Sequence, residues 1–174
     1  MNIIKMPITL VITTVISAFL IASVYSITQP VLEQKQADKL ESSFREMYGT
    51  NIKSIDLISE NNTPDNTAVY QVTKLDDTKE IIFQMQEVGK NGPLKVLLGY
   101  DSNNNLSKVQ YLEMTETPGI GAKIAEDSYV NTLIGINASD PQVDGISGAS
   151  ISSTAIRTAI ENSSELLIGG NYHE

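Results

Sequence analysis

The sequence predicts an α+β protein: an N-terminal transmembrane helix followed by one domain in which helices pack on an antiparallel sheet. Three observations carry that reading. An unbroken apolar stretch stands near the start. Four strand-like runs follow, separated by turn-forming residues. A long segment near the end repeats apolar residues at helical spacing.

The apolar stretch is Ile8–Ile27, ITLVITTVISAFLIASVYSI. As a helix it is about 30 Å long, the thickness of a bilayer core. Its Thr and Ser hydroxyls can bond back to helix carbonyls and so need no outside partner. A cleavable signal peptide is the alternative, but the run exceeds the usual apolar core of such peptides and no small-x-small cleavage site follows. Lys5 precedes the span, and Lys35 and Lys39 follow it, so the charges nearly tie and leave the orientation open. Residues 1–32 are therefore read as the segment with the anchor. Residues 33–49 are read as a stalk helix, with Leu40, Phe44, Met47 and Tyr48 at helical spacing and Gly49 as a stop. Residues 50–174 are the domain.

Within the domain, Glu60–Asn66 (ENNTPDN) is a turn-rich loop. Strands are expected at Thr67–Leu75, Lys79–Val88, Leu94–Tyr100 and Leu106–Met114, joined by turns at Lys90–Pro93 and Asp101–Asn105. Asp101–Asn105 imitates the start of a calcium loop, but Leu106 and Leu112 stand where that loop needs Gly and Glu, so it is a hairpin turn. The final helix is expected over Ile151–Ile168, where Ile151, Ala155, Ile156, Ala159 and Ile160 share a face and Gly169-Gly170 ends it.

Composition removes much ordinary chemistry. The 174 residues contain no cysteine, which excludes disulfides, thiolate-held clusters and a thiol nucleophile. The one histidine, His173, lies beside the C-terminus, a poor place for a catalytic triad or a metal site. No metal site and no catalytic side chain is expected. Twelve basic against 21 acidic residues give a net charge of −9, which argues against nucleic acid as a partner.

Two glycine-bearing stretches remain. In Thr115–Lys123, TETPGIGAK, Gly119 and Gly121 leave room for the backbone to approach a flat ligand, while Glu116 and Thr117 offer polar groups. The alternative is a plain turn after the fourth strand. In Asp144–Ser153, DGISGASISS, Ser150 stands at a helix entrance, where free N–H groups and the dipole favour a phosphate, and Gly148 and Ala149 keep the approach clear. The alternative is that Ser147 or Ser150 merely caps the helix.

Together these stretches resemble a family. Asp144-Gly-Ile-Ser-Gly-Ala-Ser150 resembles the flavinylation motif D-x-x-[ST]-G-A-[TS] of FMN-binding domains, and Glu116-Thr-Pro-Gly-Ile-Gly121 resembles their E-T-P-G-[LI]-G loop. Asn91–Tyr100 is similar to their G-P-[IL]-x-V-L-[VL]-G segment. The resemblance is to the family that includes the G subunits of Rnf-type electron transport complexes and the C subunits of sodium-pumping NADH:quinone reductases. It implies a covalent FMN, esterified through its phosphate to Ser150 by an FAD:protein FMN transferase. Asp144, Ser147, Gly148 and Ala149 would belong to the modification motif; this chain has Ser where the family commonly has Thr. Glu116, Thr117, Gly119, Ile120 and Gly121 would lie beside the flavin.

The resemblance also implies a redox subunit with no turnover of its own, held in a cell (inner) membrane among the other subunits of an Rnf-type complex. Such a complex moves electrons between ferredoxin and NAD and couples this to ion transport, and the domain would face the periplasmic or extracellular side. An FMN-binding domain of another extracellular electron route, or an anchored interaction module without flavin, are the alternatives.

Overall fold

A computed structural model describes residues 5–60, 68–170 and Tyr172. The expected loop at 60–66 lies outside these residues except for Glu60, and so does His173. The chain divides into two units, Met1–Ser42 and Ser43–Glu174.

The first element is a single helix, α1, over Lys5–Tyr48. It is long and apolar enough to cross a membrane. The hydroxyls of Thr13, Thr14, Ser23 and Ser26 donate to carbonyls three or four residues back, as expected for an apolar surround. Pro30 lies inside the helix, which continues past it. The ring removes one backbone bond, and the helix-favouring residues that follow (EQKQADKLE) propagate the turns. The expected stalk segment is thus the C-terminal part of the same helix as the apolar span.

The second unit is built on a five-stranded antiparallel meander in the order β1-β2-β3-β4-β5. The strands are β1 (Ile52–Glu60), β2 (Ala68–Lys74), β3 (Lys79–Val88), β4 (Pro93–Tyr100) and β5 (Leu106–Met114). Four match the expected runs. β1 does not: its IKSIDLISE sequence is exposed along almost its whole length, so the core imposed no apolar alternation on it. After β5 come a 3-10 turn at Gly121–Ala125, the short helix α2 (Asp127–Leu133) and the long helix α3 (Ser150–Gly169). The Gly170 N–H closes α3 on the Leu166 carbonyl.

Strand periodicity assigns the two faces. Ile81, Phe83 and Met85 of β3 pair with Tyr100, Leu98 and Val96 of β4 and pack beneath Ile156, Ala159 and Ile160 of α3. The Tyr100 hydroxyl, inside this core, bonds to Ser163 at 2.8 Å and Ser164 at 3.2 Å. On the reverse face lie the last residues of α1. Phe44 meets Tyr70 edge-on, with ring centroids 5.4 Å apart. Tyr48 donates at 2.6 Å to the carboxylate of Glu80, which is 4% exposed. Lys74 pairs with the other oxygen of that carboxylate, and Ser107 donates to it at 3.0 Å. Such satisfaction is what lets a carboxylate stay buried.

Tyr48→Phe deletes one donor to Glu80 and leaves the ring packing. We expect a loss of about 1–2 kcal/mol, seen as a lower urea midpoint with unchanged slope in the detergent-solubilised chain.

Candidate functional site

The residues from Val143 to Ala149 form a loop that three side chains hold. Arg157 Nε donates to the Val143 carbonyl at 3.1 Å, and Tyr129 Oη donates to the Asp144 carbonyl at 2.8 Å. Burial holds the Tyr129 phenol above its usual pKa, so it stays a donor. Ser153 does two jobs, accepting from the Ile146 N–H at 3.0 Å and donating to the Ala149 carbonyl at 2.6 Å. A turn closed by the Ala149 N–H on the Ile146 carbonyl then delivers the chain into α3. Gly148 makes this turn with φ +85°, and a β-carbon there would meet no atom within 4 Å. The space above it is open.

α3 starts with Ser150 as its first helical residue. Its cap position is Ala149, and no side chain caps it. Neither Ser147 nor Ser150 therefore acts as a helix cap. The backbone N–H groups before Ser153 have no carbonyl within the helix to bond, and they mark the positive end of a 20-residue helix. Ser150 is exposed at that end. Its competitors are sorted by burial: Ser152 and Ser153 are each 1% exposed, whereas Ser147 and Thr154 face solvent. Asp144 has an exposed side chain on the loop that leads in.

The second stretch meets the first where Gly121, packed on the Glu116 carboxylate, faces Ser152. One carboxylate oxygen, Oε1, accepts from the Lys90 N–H at 2.8 Å. The other, Oε2, is buried with no hydrogen-bond partner among the described residues. Gly89 and Gly121 flank the carboxylate so closely that a β-carbon at either would collide with it, and one at Gly121 would also lie 2.8 Å from Ser152 Oγ. So Gly121 is glycine because Glu116 and the first turn of α3 occupy its side-chain space. The expected reason, approach of a flat ligand, suits Gly119 instead, which is exposed, has φ +73° and borders open space. Thr117 Oγ1 accepts from Asn91 Nδ2 at 2.8 Å, and Ile120 is exposed beyond it.

Three sequence stretches thus meet: the β3–β4 turn at Gly89–Asn91, the loop at Glu116–Gly121 and the start of α3. Sequence reasoning singled out the last two. It did not find Gly89, Lys90, Tyr129, Ser153 or Arg157 as their supports, because their contacts leave no local sequence pattern. Asp101–Asn105 is the hairpin turn it was read to be, with Asp101 Oδ1 accepting from the N–H groups of Asn103 and Asn105.

Between the end of β3 and the first turns of α3 runs an open cleft of about 350 Å³, with Glu87, Val88, Ser150, Ile151, Thr154 and Thr158 on its walls. An exposed hydroxyl at an uncapped helix N-terminus, open space over Gly148 and Gly119, and an adjoining cleft with apolar and hydroxyl walls fit a phosphate-bearing flat ligand such as FMN.

Comparisons with known proteins agree. Residues 89–165 match the family model described as FMN-binding domain. The G subunit of the ion-translocating oxidoreductase complex of Methanosarcina acetivorans is 26% identical over 171 residues, covering 91% of this chain and 90% of that one. The G subunit of the proton-translocating ferredoxin:NAD(+) oxidoreductase complex of Clostridium ljungdahlii is 24% identical, covering 90% and 86%. The C subunit of the Na(+)-translocating NADH-quinone reductase of Vibrio alginolyticus is 28% identical over 53% of this chain and 44% of its own. The crystal structure of the corresponding C subunit from Parabacteroides distasonis shares the fold, with a TM-score of 0.53 at 23% identity over 74% of this chain and 81% of that one.

The packing around Glu116 gives a testable coupling. Gly121→Ala should cost about 1–3 kcal/mol by overpacking, and much of that cost should vanish when Glu116→Ala is also present. Urea unfolding of the two single variants and the double variant measures it. Additive costs would disconnect the two residues.

Proposed function

We propose, from the premise that residues 89–165 are an FMN-binding domain, that the protein is a membrane-anchored electron-transfer subunit of an Rnf-type complex and carries FMN as a phosphoester on Ser150. The observation that carries this reading is the state of Ser150: exposed, uncapped and at the start of α3, directly after a glycine turn with open space above it. A phosphate esterified there lies against free N–H groups that favour its charge.

The linkage balances with FAD as donor to an FAD:protein FMN transferase. Ser150 Oγ attacks the FMN-side phosphorus, an O–P bond forms, the pyrophosphate bond breaks, and AMP leaves as the serine proton is given up. Bound FMN supplies one- and two-electron chemistry that a chain with no cysteine and one histidine lacks. The chain's own residues do the rest. Tyr129, Ser153 and Arg157 hold the attachment loop in shape, and Asp144 stands in solvent where a modifying enzyme can reach it. Partners in this reading are the other subunits of the complex, the transferase and the lipid around α1, with the domain on the outer face of the membrane.

Ser150→Ala should abolish in-gel flavin fluorescence after denaturation when the chain is made together with the transferase. Ser150→Thr should keep it. Because Ser150 makes no cap bond, the alanine variant should lose less than about 0.5 kcal/mol of stability. An adduct mapped to Ser147 or Thr154 would move the site, and a folded Ser150→Ala chain that still carries covalent FMN would refute it.

The membrane placement has its own measurement. Protease added to intact spheroplasts should digest the second unit, and full protection of that unit would reverse the orientation.

A further inference from the structure

Four side chains with hydrogen-bonding groups stand at four-residue intervals on α3, at Ser150, Thr154, Thr158 and Asn162. That spacing puts them along one side of the helix, the first three over a rise of about 12 Å. Those three line the same cleft, opposite the end of β3. The fourth, Asn162, closes its far end by donating to Glu87 Oε1 at 3.1 Å. This bond draws the cleft's carboxylate toward a residue about 18 Å along the axis from Ser150, away from any phosphate there. The apolar wall is Ile151, 53% exposed, and Val88, 81% exposed.

On the other side of the site, two polar side chains have partners from the β3–β4 turn. Glu116 Oε1 is held by Lys90 and Thr117 Oγ1 accepts from Asn91, while Glu116 Oε2 is buried. A polyol leaving Ser150 along this cleft meets the hydroxyls of Thr154 and Thr158 on α3. The cleft volume is at the low end for small-ligand sites, enough for part of an FMN and not the whole.

We propose that the ribityl chain of the flavin lies in this cleft, with Thr154 and Thr158 hydrogen-bonding its hydroxyls and Val88 and Ile151 forming the apolar ledge on which one face of the ring rests. The proposal rests on the reading that Ser150 carries FMN, and it assigns cofactor-binding roles to four residues outside the attachment motif. The ring's other face then stays open for electron exchange with a partner.

The test uses the flavinylated full-length chain in detergent. A denaturing gel with peptide mapping of the adduct first establishes FMN on Ser150; an absent adduct there would refute the attachment, independently of the native fluorescence and dichroism. Val88→Trp places a quenching indole against the ring at a position too exposed to disturb folding. Native flavin fluorescence, normalised to the same chain unfolded in urea, should fall about threefold or more, the ring–indole contact being a stacking one. Leu75→Trp is the control, exposed at the opposite end of β3 about 30 Å away, and should leave the fluorescence unchanged. The double variant Thr154→Val with Thr158→Val keeps shape and removes both hydroxyls. It should retain covalent FMN and lose the visible circular dichroism that a fixed flavin shows. Equal fluorescence in Val88→Trp and Leu75→Trp, with FMN on Ser150, overturns the ledge. Unchanged visible dichroism in the double threonine variant overturns the hydroxyl contacts.

Discussion

One carboxylate sets the geometry on which the site depends. Glu116 enters a slot that exists only because residues 89 and 121 have no side chains, and from there it reaches the β3–β4 turn and abuts the first turn of α3. Its buried, unpartnered oxygen is costly in free energy by itself. What it provides in exchange is register. A carboxylate that must accept from Lys90 N–H and fit between two glycines holds those segments in one arrangement, a recognised use of buried polar groups. Gly89 and Gly121 are as much part of this contact as Glu116.

The rest of the domain is a frame around that contact. The meander keeps sequence neighbours as spatial neighbours, so the β3–β4 turn and the loop after β5 emerge close together. α3 covers one face of the sheet through Ile156, Ala159 and Ile160, and this packing fixes where the helix begins. The reverse face is closed by Phe44, Met47 and Tyr48, the last turns of the helix that carries the apolar span. Its chief polar tie, the Tyr48–Glu80 bond with Lys74 and Ser107 around it, is remote from Ser150 and serves the frame.

Much of this was legible in the sequence where a physical constraint leaves a local mark. β3 and β5 have the bounds that strand-like composition and flanking turns predicted, β3 being buried along most of its length and β5 at Leu106 and Leu112. α3 starts one residue earlier than its apolar periodicity and stops at its glycines. β1 was invisible, since an exposed edge strand needs only backbone pairing with β2 and no apolar pattern. The stalk segment expected from residue 33 is continuous with the helix before it, Pro30 included. At the site, the motifs singled out Ser150 and Glu116, yet not the packing of Glu116: a carboxylate beside glycines reads equally as a ligand contact or as an internal brace. The distances to Lys90 N–H and to the two glycines show the brace.

On the proposed reading, the same distances explain how a serine-rich segment can be a selective site. Ser147, Ser150, Ser152, Ser153 and Thr154 carry nearly the same hydroxyl, and intrinsic reactivity does not rank them. Folding does. Ser153 spends its hydroxyl on Ile146 and Ala149, and in doing so shapes the turn that presents Ser150. Ser152 is packed beside the brace. Ser147 lies before Gly148 in the loop, outside the helix and its dipole, and Thr154 lies one turn inside it, where the N–H groups already have helical partners. Ser150 alone joins exposure to the free N–H groups of the helix start. On the proposed attachment, selectivity among equal hydroxyls is thus set by which of them the fold leaves both reachable and electrostatically favoured.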